Sequence, residues 1–435
     1  MERQFLKDLA VFALPMFLAR AIGLILLPLY TRHLGPENFG FIEFVIAAVT
    51  ILLIVAPLEI NQGMARLISD EASPKRELAL LSSTLFFNFA SISIAVFFCW
   101  LILFLISPNW EHNNLLAQHK IELALYAIVF GLSNSFQIFF RFTNRASISA
   151  LLNLSIVLVN VGLVMIFITN NSLNISNYFV AQIAGCCCSL VIGGYYTWKV
   201  WGIPVKIFLI EDLRSLLKYS SPLVLSSIGF IIGNTLDKIM IASYVSLGEL
   251  GFYGAAVRLA SIVGIAFTVL SSAITPAIYR NHTSETSRNF LFRIFCICLV
   301  ALAAGLAFVA AYDQRLVTIL LGQEFLPAAN FLYFVFLNVT IYNLYIFFLG
   351  MDLEKKTIYL SGINIFSGLV TAALCIATVP MIGTWGAIAS SLTGSVIRIA
   401  LYFYFSERIY SFGAALPLSV FSLWCIGLTG ATIWL

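Results

Sequence analysis

A chain of 435 residues with 61% hydrophobic and only 10% charged residues cannot clothe a water-soluble domain, where about 25% are charged. A mean hydropathy of +0.98 makes a bilayer the solvent for most of its surface. The net charge of +4 comes without any long basic block, which excludes a nucleic-acid footprint; no Gly-rich phosphate cradle precedes a Lys-Ser/Thr pair, which argues against a self-contained ATPase.

A helix needs about 20 apolar residues to cross the hydrocarbon core. The charged Met1–Asp8 segment is followed by an apolar run without a small-residue cleavage site, so it reads as a retained first span rather than a signal peptide. Charges and turn residues then divide the chain into spans at 9–30, 39–62, 79–106, 121–141, 147–169 and 177–198. A second group follows at 220–246, 252–277, 290–312, 328–350, 357–379 and 385–405, with a thirteenth candidate at 414–434. Asn170-Asn171-Ser172 and Pro380 with Gly383 break the two longest charge-free stretches into helical hairpins. Strands of a membrane barrel would be about ten residues long and alternate in polarity, which these are not.

This division predicts an all-α integral membrane protein: a six-helix bundle at 1–198, a cytoplasmic amphipathic linker at 199–219, a second bundle at 220–405, and a turn with a possible extra helix at 406–435. With the amino terminus in the cytoplasm, 17 of the 24 Lys and Arg residues fall in inner segments, 3 in outer loops and 4 within spans. That asymmetry sets the expected orientation. The outer loops, Ser107–Lys120 and Asp313–Pro327, are too short to house a catalytic domain, so no catalytic residues are expected. The eight cysteines fall in apolar segments, and His33, His112, His119 and His282 in candidate loops. Neither set has metal-site spacing, so no metal or cofactor is expected.

The chain also repeats itself. Pro15 has a counterpart in Pro222, and Leu34-Gly35-Pro36-Glu37-Asn38-Phe39-Gly40-Phe41 one in Leu247-Gly248-Glu249-Leu250-Gly251-Phe252-Tyr253. An even number of spans per half makes such a repeat parallel, and substrate sites in transporters of this kind lie between the halves. The opening pattern, Pro15, Arg20 and Pro28-Leu29-Tyr30-Thr31-Arg32-His33-Leu34-Gly35-Pro36, resembles that of the polysaccharide-exporter family, the Wzx-type O-antigen flippases. Similar to it too are Leu236-Asp237-Lys238-Ile239, the run from Gly251 to Leu259, and Leu320-Leu321-Gly322-Gln323-Glu324-Phe325-Leu326-Pro327. The resemblance is carried by turns and covers nearly the whole chain. It implies two six-helix bundles around a central cavity, as in drug-exporting (MATE-like) and lipid II-flipping relatives. It also implies an undecaprenyl-pyrophosphate-linked oligosaccharide moved from the inner to the outer leaflet of a bacterial inner membrane, with polysaccharide polymerase and chain-length proteins as possible partners beside membrane lipids.

Charges within spans need a partner or a wet cavity, since each costs about 2.5–3.5 kcal/mol at the bilayer centre. Arg20 lies roughly 16 Å into span 1, where it either faces a substrate pyrophosphate or pairs with a carboxylate on a neighbouring span. Lys238 and Arg258 have similar depths. Either Asp237 bridges to Arg258, or Lys238 and Arg258 line a cationic cavity, and the two arrangements can coexist. Glu43 and Glu59, expected near opposite ends of span 2, can exchange a proton or merely be solvated at the interface. Arg141 and Arg398 are expected to snorkel. A multidrug antiporter of the same architecture would prefer buried carboxylates. A membrane-embedded glycan polymerase or ligase would need a large outer loop or clustered surface acids.

Overall fold

The computed structural model describes the backbone at residues 2–70, 73–106, 113–202, 210–281, 284–354 and 356–434. Side chains of 1–21, 70–72, 103–113, 203–210, 225–226, 228–232, 234, 272–273, 276–277, 280–283, 355, 357 and 433–435 lie outside the described residues. Those that are described form helices and no strand. They are α1 (Glu2–Val55), α2 (Ile60–Asp70), α3 (Pro74–Ile106), α4 (Asn113–Gln118), α5 (Lys120–Phe142), α6 (Ala146–Thr169), α7 (Ile175–Trp201) and α8 (Ile210–Tyr244). Then come α9 (Leu247–Asn281), α10 (Glu285–Leu320), α11 (Ala329–Asn343), α12 (Gly350–Leu353), α13 (Thr357–Ile382), α14 (Thr384–Glu407) and α15 (Ala415–Trp434). Eleven stretches among the described residues are long and apolar enough to cross a membrane, Ala415–Thr432 among them.

Several boundaries differ from the sequence expectation for physical reasons. The first two spans are one helix broken at Gly35, whose φ of 71° suits a residue without Cβ. Span 2 stops at Val55 because Pro57 follows, and Leu58 and Glu59 then adopt left-handed φ values of 52° and 53°. The expected outer loop at 313–327 is mostly helix: α10 runs on past a bend at Tyr312 to Leu320, and a 3₁₀ turn, Gln323–Ala328, follows. The end of the expected linker, from Ile210 on, is the first turns of α8 itself.

The chain forms two compact units. One comprises Met1–Leu26 and Val45–Ile228, the other Leu27–Phe44 and Gly229–Leu435. In the first, α2 is short and amphipathic. Ile60, Met64 and Ile68, four residues apart, are buried against Leu80 and Leu81 of α3, Phe139 and Phe140 of α5, Leu152 of α6 and Leu216 of α8. Gly63 comes so close to the Leu216 carbonyl that a Cβ there would lie 2.8 Å from its oxygen. Trp201 packs on Phe139 and Phe140 and donates its indole N–H to Glu77 (2.8 Å), while Arg76 pairs with the buried Asp212 (2.8 Å). These contacts tie the start of α8 to α3, α5 and α7.

In the second unit the segment after the Gly35 break crosses the start of α9. A Cβ on Gly40 would collide with the Leu247 carbonyl, and one on Gly251 with the Pro36 carbonyl. Each glycine therefore faces the carbonyl four residues before the other. Such a reciprocal contact is what two copies of one motif make when a local two-fold relates them. Phe39 and Phe252 both pack edge-to-face with Phe325, ring centroids 5.8 Å apart, and Arg32 donates to the Ile319 carbonyl (2.7 Å). The turns that carry the sequence resemblance thus assemble at one place.

Candidate functional site: a shared carboxylate and a buried arginine

Three elements of the second unit bring charges together. Glu43 sits one turn beyond Gly40 on α1, opposite Gly254 of α9, where the lack of a side chain leaves room for its methylenes. Its carboxylate is 1% exposed and accepts from the Lys238 ammonium of α8 (2.6 Å) and from Arg258 Nε of α9. Lys238 and Arg258 remain 18% and 26% exposed. Arg258 also stacks on the Phe39 ring at 5.1 Å. Two cations share this one anion, and the anion is inaccessible while the cations are partly exposed.

Of the two arrangements open to these charges, Asp237 does not form the bridge to Arg258. It accepts from the Tyr253 hydroxyl (2.5 Å) and from the Lys238 backbone N–H (2.8 Å), turning away from Glu43 because adjacent helix positions point about 100° apart. Glu59 lies in the turn before α2 rather than on a span, so it does not share an element with Glu43. The Arg20 side chain lies outside the described residues.

A second feature of the same unit was not legible as such. Arg398 of α14 does not snorkel: it is 5% exposed and enclosed by the rings of Tyr342 (4.0 Å), Tyr345 (4.4 Å) and Tyr402 (5.3 Å). Its Nε donates to Asn364 Oδ1 and its Nη1 to the Tyr342 carbonyl, both at 2.9 Å. The signal was present in the spacing, with Tyr402 four residues after Arg398 on one helix face and Tyr342 and Tyr345 three apart on another segment.

In the first unit, polar groups pair with one another. Asn88 donates to Ser135 (2.7 Å) and to Asn61 (3.2 Å), and Ser133 to Ser189 (3.1 Å).

Residues 5–282, well over half the chain, match the family model described as "Polysaccharide biosynthesis protein". The chain belongs to that family. No curated protein is similar enough in sequence to count as a match. Among solved structures, the family member's fold is similar to an inward-facing multidrug resistance MATE transporter of the MOP superfamily. The TM-score is 0.68 at 15% identity, over 92% of this chain and 96% of that one. The lipid II flippase MurJ, in an inward closed conformation, matches with the same TM-score and identity over 96% and 91%. A MOP superfamily transporter from Pyrococcus furiosus, whose binding pocket is described as of reverse polarity, matches at 0.58 and 15%, over 93% and 96%. The fold is therefore MATE- and MurJ-like, and the chain is a multi-pass membrane protein.

Proposed function

We propose that this protein is a flippase for an undecaprenyl-pyrophosphate-linked oligosaccharide, of the Wzx O-antigen type. It carries the glycan from the cytoplasmic to the periplasmic leaflet of a bacterial inner membrane, with its amino terminus in the cytoplasm. The observation that carries this reading is the Glu43–Lys238–Arg258 cluster: two partly exposed cations held by one buried carboxylate. The chemical difficulty in moving a lipid-linked glycan is the anionic pyrophosphate and the hydrated sugars, since the isoprenoid tail can stay in lipid. Two partly exposed cations within about 30 Å of hydrocarbon offset the cost of desolvating that headgroup. Opening such a site to one side of the membrane at a time completes the cycle without a covalent step. Asp237 is the carboxylate we assign to coupling to an ion gradient, since Glu43 is covered by its two cations, and Arg20 is a further cation for the headgroup. Membership of a polysaccharide biosynthesis family supports the substrate class, and a lipid II flippase among the structural neighbours supports the mode of transport.

The multidrug-antiporter reading has the MATE neighbours in its favour. It predicts an accessible carboxylate for a cationic drug, whereas Glu43 is covered by its own cations. The experiment is deletion in the host followed by complementation with Lys238→Gln and Arg258→Gln variants. The flippase reading expects completed repeat units to accumulate on the inner leaflet. Incomplete glycans would indicate an enzyme, and normal glycans with lost drug resistance an antiporter.

A further inference from the structure

The second unit contains a partly enclosed chamber, walled by both polar and apolar groups, that the cationic cluster does not use. Its volume is about 160 Å³, and α8, α9, α11, α13 and α14 all contribute to its wall. Arg398 stands at one end, with Asn338, Asn364 and Ser395 beside it, and Asp237 with Tyr253 and Ser391 at the other. Ser391 and Arg398 are seven residues apart on α14, so the two charged ends are separated by about 10 Å.

The chemistry of the wall is uneven. At the acidic end Asp237 accepts from the Tyr253 hydroxyl and a backbone N–H, one on each oxygen, which leaves each oxygen able to accept again. At the basic end Arg398 is held by an amide oxygen, a carbonyl and three aromatic rings, and no carboxylate among the described residues reaches it. A buried cation without an ionic partner is costly unless an anion or a wet cavity completes it. The neighbouring amides are spoken for on their oxygens: Asn364 Oδ1 accepts from Arg398, and Asn338 Oδ1 from Ser395 (2.7 Å). Their amide N–H groups are left as donors.

The geometry points to a subsite for a single sugar ring bearing a carboxylate. The acid group would lie at Arg398, with the Asn338 and Asn364 amides as further donors. The ring hydroxyls would extend along Ser367, Thr371 and Ser391 toward Asp237, which accepts from hydroxyls but repels a second anion. Size limits the ligand to no more than one ring. At about 30 Å³ per water the chamber has room for roughly five waters, and it is well below the roughly 300 Å³ at which drug-sized sites begin. The inference deepens the proposed function and rests on it for the source of the ligand, an acidic residue of the translocated glycan.

The test is calorimetric titration of the full-length protein in nanodiscs with sodium glucuronate, glucose and sodium acetate. Glucuronate is expected to bind at least tenfold more tightly than either of the others. Arg398→Gln should abolish the preference over glucose, and Arg398→Lys should retain part of it. Ser391→Leu, which fills the chamber and leaves Arg398 intact, should lose glucuronate binding without loss of folded protein, so the outcome does not depend on Arg398→Gln folding. Equal binding of glucose and glucuronate, acetate binding as tightly as glucuronate, or a preference that survives Arg398→Gln would each overturn the inference. Flipping of lipid-linked glycans by a protein that binds no glucuronate would overturn it while leaving the flippase reading intact. Glucuronate binding without any flipping would sustain the subsite and count against the flippase. Equal flipping of uronate-containing and neutral glycans would overturn the glycan as its source.

Discussion

Replacing Glu43 with Gln removes one charge and almost no volume, so it isolates the electrostatic part of the cluster. In the native protein the carboxylate lies between Lys238 and Arg258, 2.6 Å from the ammonium. With an amide there, two cations face each other across a buried position with no anion between them. Removing one partner of a fully buried ion pair costs about 3–5 kcal/mol, and the partial exposure of both cations puts this case at the lower end, about 3 kcal/mol. In a unit of this size that corresponds to a loss of about 6–12 °C in Tm. The assay is thermal unfolding in nanodiscs followed by intrinsic fluorescence, at one scan rate and with reversibility checked by rescanning. Lys238→Met alone leaves Glu43 with Arg258 and should cost about 1 kcal/mol. The double variant should be more stable than Glu43→Gln, with a coupling of at least about 1 kcal/mol. An unchanged Tm in Glu43→Gln, or strictly additive effects in the double variant, would refute the shared-carboxylate account.

Gly40→Ala and Gly251→Ala should each lower the folded yield sharply, since either Cβ collides with a carbonyl of the partner segment; Gly162→Ala, with nothing near its Cβ, should be neutral or slightly stabilising, by about 0.5–1 kcal/mol. Detergent-resistant folded fraction by size exclusion checks all three. Asn88→Leu, which breaks the hydrogen bonds to Ser135 and Asn61, should cost about 1 kcal/mol by thermal unfolding, with the folded form retained. In a variant without the eight native cysteines, single cysteines at Pro74 and Gly202 should be labelled by an impermeant maleimide only from the cytoplasmic side, and one at Gln118 only from outside. The reverse pattern would invert the topology.

Much of the fold could be read from the sequence because hydrocarbon thickness imposes one length on every crossing and water-facing charges mark the ends. Where tertiary packing, not the bilayer, sets the boundary, that rule gives no information. The break at Gly35 and the extension of α10 to Leu320 both lie where one segment rests on another: Gly35 beside Glu324, and Ile319 accepting from Arg32. The repeated turns were visible as a pattern, but their reciprocal contact through Gly40 and Gly251 is a three-dimensional fact. Among the charges, depth along a helix could be counted from Lys238 and Arg258, yet which neighbouring segment each side chain faced could not. A rotation of about 100° separates Asp237 from Lys238, and it directs the aspartate to Tyr253 and the lysine to Glu43. Arg398 was misjudged for the same reason, since closeness to a span end does not reveal three tyrosines around it.

The central claim is that a cationic site moves a lipid-linked anion. Proteoliposomes containing the purified protein and a fluorescent undecaprenyl-pyrophosphate-linked glycan would report it directly, through the fraction of glycan that an external hydrolase can reach over time. The account predicts that this fraction rises with the native protein, and falls to the protein-free rate in Lys238→Gln/Arg258→Gln. A rate for the native protein equal to that of empty vesicles, or one untouched by removal of both charges, would contradict it.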